Sequence, residues 1–253
     1  MKNAVILLPS SPHYRRDAFV EGLSKCGYEP RFENNVDPQS GDVLVIWNRY
    51  RDGTAKEFEK RNATVLVAEN AWVGPSSKDN HHFALCRGHH NGAGTWETGK
   101  DQRWPKLNIA LKPWRKTGRH IMVLPQRGMG ERGVAMPSGW PDDVVKRLKA
   151  YTRRPIVVRD HPGAMPNHGR IDFENTWACV IWASGAGIKA IIEGIPVFHE
   201  MKKWIGAPAA KYGVDDIENP FLGDRMPMLE RLAWAQWTAE EIASGEPFRC
   251  LLK

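Results

Sequence analysis

Ala178-Cys179-Val180-Ile181-Trp182-Ala183-Ser184-Gly185-Ala186-Gly187-Ile188-Lys189-Ala190-Ile191-Ile192-Glu193-Gly194-Ile195-Pro196-Val197 is the stretch on which the reading of the fold turns. A short apolar run ends at Trp182, and five small residues, Ala183 to Gly187, follow. A second apolar stretch then continues to Glu193, where Gly194 and Pro196 stop it. Strand, tight turn, helix and strand in this order make one unit of an open α/β sheet. Ser184, Gly185, Ala186 and Gly187 would let a ligand approach the backbone closely. The helix start would offer unpaired N–H groups and a positive dipole end to a phosphate. The alternative is a tight crossover packed with small residues.

Upstream, Ile156-Val157-Val158-Arg159-Asp160-His161-Pro162-Gly163 predicts a strand giving way to Arg159 and His161. Both can donate to phosphate oxygens from the same sheet edge. Leu124-Pro125-Gln126-Arg127-Gly128-Met129-Gly130 follows another predicted strand, 120–124. Gln126 and Arg127 read equally as phosphate or ribose contacts and as members of a flexible turn. Strands at 155–159, 178–182 and 196–198 and helices at 142–151 and 185–193 complete this half.

The first third has the same rhythm. Strands are predicted at 4–9, 43–47 and 64–68, and helices at 15–26 and 53–61. The opening apolar run reads as a first β-strand and not as a signal peptide. From 69 to 113 periodicity is lost among Gly, His, Asn and Trp, which predicts a long functional loop. The tail, 225–244, reads as one or two amphipathic helices, with Leu229, Leu232, Ala233, Gln236 and Trp237 near helical spacing. The expected architecture is α/β: two Rossmann-like domains, 1–112 and 113–222, facing a cleft, with C-terminal helices (223–253) crossing back to the first.

In Val67-Ala68-Glu69-Asn70-Ala71-Trp72, Glu69 stands just past a strand end, as a general base for an acceptor hydroxyl or as an ordinary cap. His81-His82 and His89-His90-Asn91-Gly92 invite a metal, sugar contacts or a plain loop. No Cys and no regular ligand spacing accompany them, so no metal is expected. His89 and His90 compete with Glu69 as bases.

A strand ending in His-Pro, then a strand, a Ser-Gly turn, a helix and Glu-Gly-x-Pro-Val, resembles the nucleotide-sugar half of GT-B glycosyltransferases. It is similar in particular to bacterial capsule, sialic-acid and Kdo-type transferases. The resemblance covers residues 156–197. It implies a donor site at Arg159, His161, Pro162, Ser184, Gly185, Ala186 and Gly187, with Glu193, Gly194 and Pro196 matching the end of the motif. Lys189 on the helix and Gln126 and Arg127 of the glycine-rich loop join these as candidate donor contacts on their own chemistry. A second resemblance, to small tailed-phage glycosyltransferase-like proteins, rests on Ile46-Trp47-Asn48-Arg49, Glu69-Asn70-Ala71-Trp72, His90-Asn91-Gly92 and Leu232-Ala233-Trp234-Ala235-Gln236-Trp237-Thr238. It implies Asn48, Arg49, Asn70, Trp72 and Asn91 on the acceptor side and a hydroxymethylated pyrimidine base in DNA as acceptor. A cytoplasmic glycan acceptor, or a non-catalytic nucleotide- or DNA-binding module, is the alternative. The expected partners are therefore a nucleotide-sugar co-substrate and DNA, with no other cofactor.

Composition bounds these readings. The 253 residues carry 36 Lys and Arg against 29 Asp and Glu, a net charge of +7. Between positions 113 and 170 there are 12 basic residues against 4 acidic ones, which suits an anionic partner or a solvated basic face. No apolar run approaches the ~20 residues that span a bilayer, so no membrane is expected. Cys26, Cys86, Cys179 and Cys250 lie at least 60 residues apart, which excludes a Cys-x-x-Cys site and suits a reducing cytoplasm. A phage-encoded chain would work in the host cytoplasm. Eleven tryptophans exceed five tyrosines, and some of them could stack on a base or a sugar.

Overall fold

The computed structural model describes residues 2–33, 37–49, 51–74, 76–77, 80–89, 92–128, 130, 133–161 and 171–253; at 76, 77 and 80 it describes the backbone alone. The chain divides into two compact units, residues 1–107 with 230–253, and residues 108–229. Each is built on its own sheet and is Rossmann-like.

Unit 1 runs β1 (Lys2–Ile6), α1 (Arg16–Lys25), β2 (Tyr28–Arg31), β3 (Val43–Trp47), α2 (Asp52–Lys60), β4 (Thr64–Asn70), the two-residue β5 (Ser76–Ser77) and β6 (Asn80–Arg87). Strands β2, β1, β3 and β4 are parallel neighbours in that order. Alternation along β3 and β4 sends Leu44, Ile46, Val65 and Val67 to Ala55 and Phe58 of α2. It sends Val43, Val45, Leu66 and Ala68 to the opposite core with Phe19 and Leu23 of α1. Phe19, Phe83 and Phe248 are fully buried there, and each such ring contributes roughly 1.5–3 kcal/mol of transfer free energy.

Unit 2 runs β7 (His120–Leu124), α3 (Trp140–Tyr151), β8 (Ile156–Val158), β9 (Thr176–Ile181), α4 (Gly185–Ile192), β10 (Val197–His199) and β11 (Lys211–Tyr212). Its sheet is wholly parallel in the order β11-β10-β9-β7-β8. Strand β9 is buried along its entire length, as a central parallel strand covered on both faces must be. Helix α5 (Met226–Ala233) contains the division between the units, which falls after Leu229.

The chain then returns to unit 1 as β12 (Gln236–Thr238), α6 (Ala239–Ser244) and α7 (Glu246–Leu251). A Thr238–Glu241 capping box starts α6. The helix lies so close to α1 that a Cβ at Gly22 would come within 1.9 Å of the Ile242 carbonyl oxygen. Only glycine permits this approach.

Two expectations are corrected. The stretch from 69 to 113 is not one long loop, because it contains β6, an antiparallel strand between β4 and β12. Its core, Phe83-Ala84-Leu85-Cys86, is buried, but four residues among His, Asn and Gly leave no periodicity to read. The tail is not purely helical either. Gln236 and Trp237 stand at helical spacing from Leu232 and Ala233, yet the helix ends at Ala233 and they extend the sheet in β12. Among the described residues no helix is long and apolar enough to cross a membrane.

Candidate functional site

In a parallel sheet the loops after the strands gather at the carboxyl edge, where such folds carry ligands. In unit 2 this edge holds the continuations of β7, β8 and β9, which are neighbours in the sheet. Ser184 caps α4, its hydroxyl accepting from the Ala186 N–H at 3.1 Å. That oxygen keeps its own proton to donate to a ligand. Gln126 Oε1 accepts from the Ala183 N–H at 2.7 Å, so Gln126 ties the β7 loop to the turn and shapes it. Arg127 is exposed beside it, and Arg159 is half-buried, its N–H extending the ladder to Val123. His161 is pushed below the usual imidazole range, first by burial and then by the charge of Arg127. These two residues, far apart in sequence, therefore share one small region.

Other residues of the motif serve the fold. Gly187 packs α4 down, since a Cβ there would come within 2.5 Å of Ile181 Cδ1 and 3.1 Å of Trp204. Lys189 is exposed on α4. Glu193 ends α4 and pairs with Lys112; the length of the helix, roughly 13 Å, separates it from Ser184. Next to it Gly194 adopts φ +75°, and a Cβ there would meet the Pro113 carbonyl oxygen at 2.1 Å. The Glu-Gly pair thus belongs to the far end of the helix, not to the turn. The basic stretch from 113 to 170 is likewise partly internal. Arg147 grips Glu200, which also accepts from Trp140 Nε1, while Arg115 and Arg154 donate to backbone carbonyls.

In unit 1 the carboxyl edge is of another kind. Alternation along β4 carries Val65, Val67 and Glu69 to one face, so a carboxylate emerges half-buried where the apolar row ends. After β3, Asn48 and Arg49 both take left-handed backbone, φ +53° and +48°. This is a strained conformation for such residues, held only where the surroundings compensate. With its amide turned to satisfy both ends, Asn48 donates to Glu69 Oε1 at 2.9 Å and accepts from Trp47 Nε1 at 3.1 Å. Arg49 supplies the compensation. Its side chain is buried and is held by both oxygens of Glu59, by Asp52 and by the Gly88 carbonyl. The expected acceptor-side Arg49 is therefore spent inside the fold, and Asn48 is the member of that pair that reaches Glu69.

His13 and Tyr14 stand beside Trp47, and His81 stands beside His13. His13 and His81 have ring centroids 4.6 Å apart, and Tyr14 meets Trp47 edge-on at 4.8 Å. Sequence reasoning missed His13 and Tyr14, and singled out His81 only as half of a histidine pair. The signal available was Ser10-Ser11-Pro12-His13-Tyr14, a small-residue and proline turn between the first strand and its helix. Asn70 is exposed at the end of β4, and Trp72 is half-buried in the following loop. His89 follows β6, its carbonyl accepting from Cys86 Sγ at 2.8 Å. His90, Asn91 and Pro162 lie outside the described residues. Among the described residues no group of three or more His, Cys, Asp or Glu is placed to hold a metal.

No protein-family model matches the chain, and no curated protein matches it. Solved structures do. KpsC of Thermosulfurimonas dismutans, a β Kdo 2,7 transferase, aligns with TM-score 0.55 at 11% identity, covering 97% of this chain and 98% of that one. The β Kdo 2,4 transferase of the same KpsC aligns with TM-score 0.56 at 13% identity, covering 93% and 90%. The chain shares the fold of these KpsC transferases. At such identities the likeness is one of architecture, and the chemistry has to be argued from the residues.

Proposed function

We propose that the chain is a GT-B-type glycosyltransferase that moves a sugar from a nucleotide-sugar donor to a hydroxyl of a glycan. The observation that carries this reading is the carboxyl edge of unit 2, where Arg127, Arg159 and His161 accompany the Ser184-capped start of α4. Such a group suits a diphosphate: the helix dipole and the basic side chains offset the charge that develops on the leaving group, so no divalent ion is called for. On unit 1, Glu69, oriented by Asn48, takes the proton of the acceptor hydroxyl.

A glycan acceptor is supported better than DNA. The structural neighbours are Kdo transferases that match nearly the whole chain. Unit 1 carries 18 Lys and Arg against 17 Asp and Glu, whereas unit 2 carries 18 against 12. The net charge of the acceptor unit therefore gives no sign of the basic excess that favours a duplex backbone.

The test is a panel of radiolabelled CMP-, UDP- and GDP-sugars with EDTA present, offered glycan acceptors or hydroxymethylated DNA. Labelled glycan supports the proposal, and labelled DNA moves the acceptor. A protein that releases no nucleotide from any donor is a binding module. Gly185→Val locates the donor: a branched side chain at the first helical residue should weaken nucleotide binding at least tenfold, because the phosphates must approach the backbone. Unchanged affinity would place the donor elsewhere.

A further inference from the structure

A cavity of about 500 Å³ opens in unit 1 at the carboxyl ends of β1 and β3. Its size is that of a small-molecule site. Leu8, Pro9, Phe32 and Trp47 give it apolar and aromatic walls, and Arg16 and Arg51 give it charge. These two arginines differ from their neighbours. Arg15 is paired with Asp17, and Arg49 with Asp52 and Glu59. Among the described residues, the side chains of Arg16 and Arg51 make no ion pair and no hydrogen bond; Arg16 lies 5.1 Å from the Phe32 ring centroid and meets no carboxylate. Phe32 is 51% exposed, a large ring left open to solvent at the cavity mouth.

Two guanidinium groups with unused donors match a carboxylate, which they can grip with paired N–H groups. Aromatic walls beside them offer a flat surface to the apolar face of a sugar ring. Trp47 also connects the cavity to the candidate base, because its indole N–H bonds Asn48 and Asn48 bonds Glu69. We propose that this cavity recognises an acidic sugar at the acceptor terminus, its carboxylate held by Arg16 and Arg51 and its ring against Phe32 and Trp47. The inference rests on reading unit 1 as the acceptor side and names the class of acceptor. A single bound carboxylate fits the near balance of charge in unit 1 better than a nucleic-acid backbone does.

The experiment is a ligand-detected NMR titration of the full chain, without donor, using methyl glycosides of glucuronic acid, sialic acid and Kdo against methyl glucoside. The acidic sugars should bind at least tenfold more tightly than methyl glucoside. The double variant Arg16→Gln, Arg51→Gln should erase that preference while leaving CMP and UDP affinity and the unfolding midpoint unchanged, since neither arginine supports the fold. Phe32→Ala should weaken acidic and neutral sugars alike and keep the preference. Equal affinity for neutral and acidic sugars would overturn the proposal. So would a preference that survives in the double variant, or displacement of the sugars by single-stranded DNA with steep salt dependence. Binding of acidic sugars through the two arginines without any turnover would uphold this inference and end the transferase reading. Wild-type transfer to an acidic acceptor by the double variant would do the reverse.

Discussion

The two units carry related scaffolds and unlike edges. In unit 2 every strand is parallel, and the loops after β7, β8 and β9 bring basic groups and a helix start together. In unit 1 the sheet turns antiparallel at β6, and the corresponding edge holds a carboxylate, histidines and aromatic rings. The backbone arrangement at a strand end is nearly generic, so the chemistry of each edge is set by the few side chains that follow the strands. In the proposed reading one edge receives negative charge and the other removes a proton.

The largest test of that contrast is Glu69→Gln. If unit 1 supplies the base, the rate should fall roughly 10²–10⁴-fold in single-turnover measurements. Nucleotide affinity should hold, because the proposed donor groups lie in unit 2. His89→Ala should cost less; a greater loss there would transfer the role to histidine. Next in size is Arg49→Met, which asks whether unit 1 needs its internal ion pairs as support for the left-handed turn. Removing the buried guanidinium should cost about 2–3 kcal/mol, held to the low end because Glu59 and Asp52 keep 39% and 34% exposure. The unfolding midpoint should drop by roughly 5–10 °C, read by calorimetry. An unchanged midpoint would mean that the Asn48–Arg49 turn is not held by these pairs.

The smallest effect belongs to unit 2. In the free protein, burial and Arg127 favour neutral His161. A bound diphosphate favours the imidazolium instead, so binding takes up a proton. Nucleotide affinity should then rise as pH falls through the usual histidine value of about 6.5, by up to about tenfold for each unit the bound ligand raises the pKa. The gain should level off once free His161 is itself protonated. His161→Asn should flatten the dependence, leaving only the titration of the nucleotide's own phosphate. A profile that is the same in both proteins would remove His161 from the donor site.

Much of unit 2 was legible from local pattern. The run from Ala178 to Val197 forms strand, capped turn, helix and strand as its residues imply. Here apolar runs are bounded by small residues, glycine and proline, so composition and local geometry agree. Glu69 was legible as a residue just past the buried part of a strand. Its partner Asn48 was legible only as a neighbour of another strand end. Arg49 shows the opposite outcome: a charged residue at the edge reads as a ligand contact, and the fold uses it as a buried clamp. The stretch containing β6 failed because four buried residues among His, Asn and Gly give no period to measure.

The sequence by itself determined the α/β alternation, the second sheet and its small-residue turn, because these follow from the spacing of apolar residues and from the few residues that can end a helix. The tertiary structure decided which charges remain available. Arg15 and Arg16 are adjacent in the chain, as Arg49 and Arg51 nearly are, and no local rule separates them. Which one meets a carboxylate depends on where Asp17, Asp52 and Glu59 come to lie, and that is known only once the helices are packed against the sheet. The same holds for Gln236 and Trp237. Their spacing suits a helix, but β6 offers an unpaired edge whose N–H and C=O groups need partners, and the chain completes the sheet there.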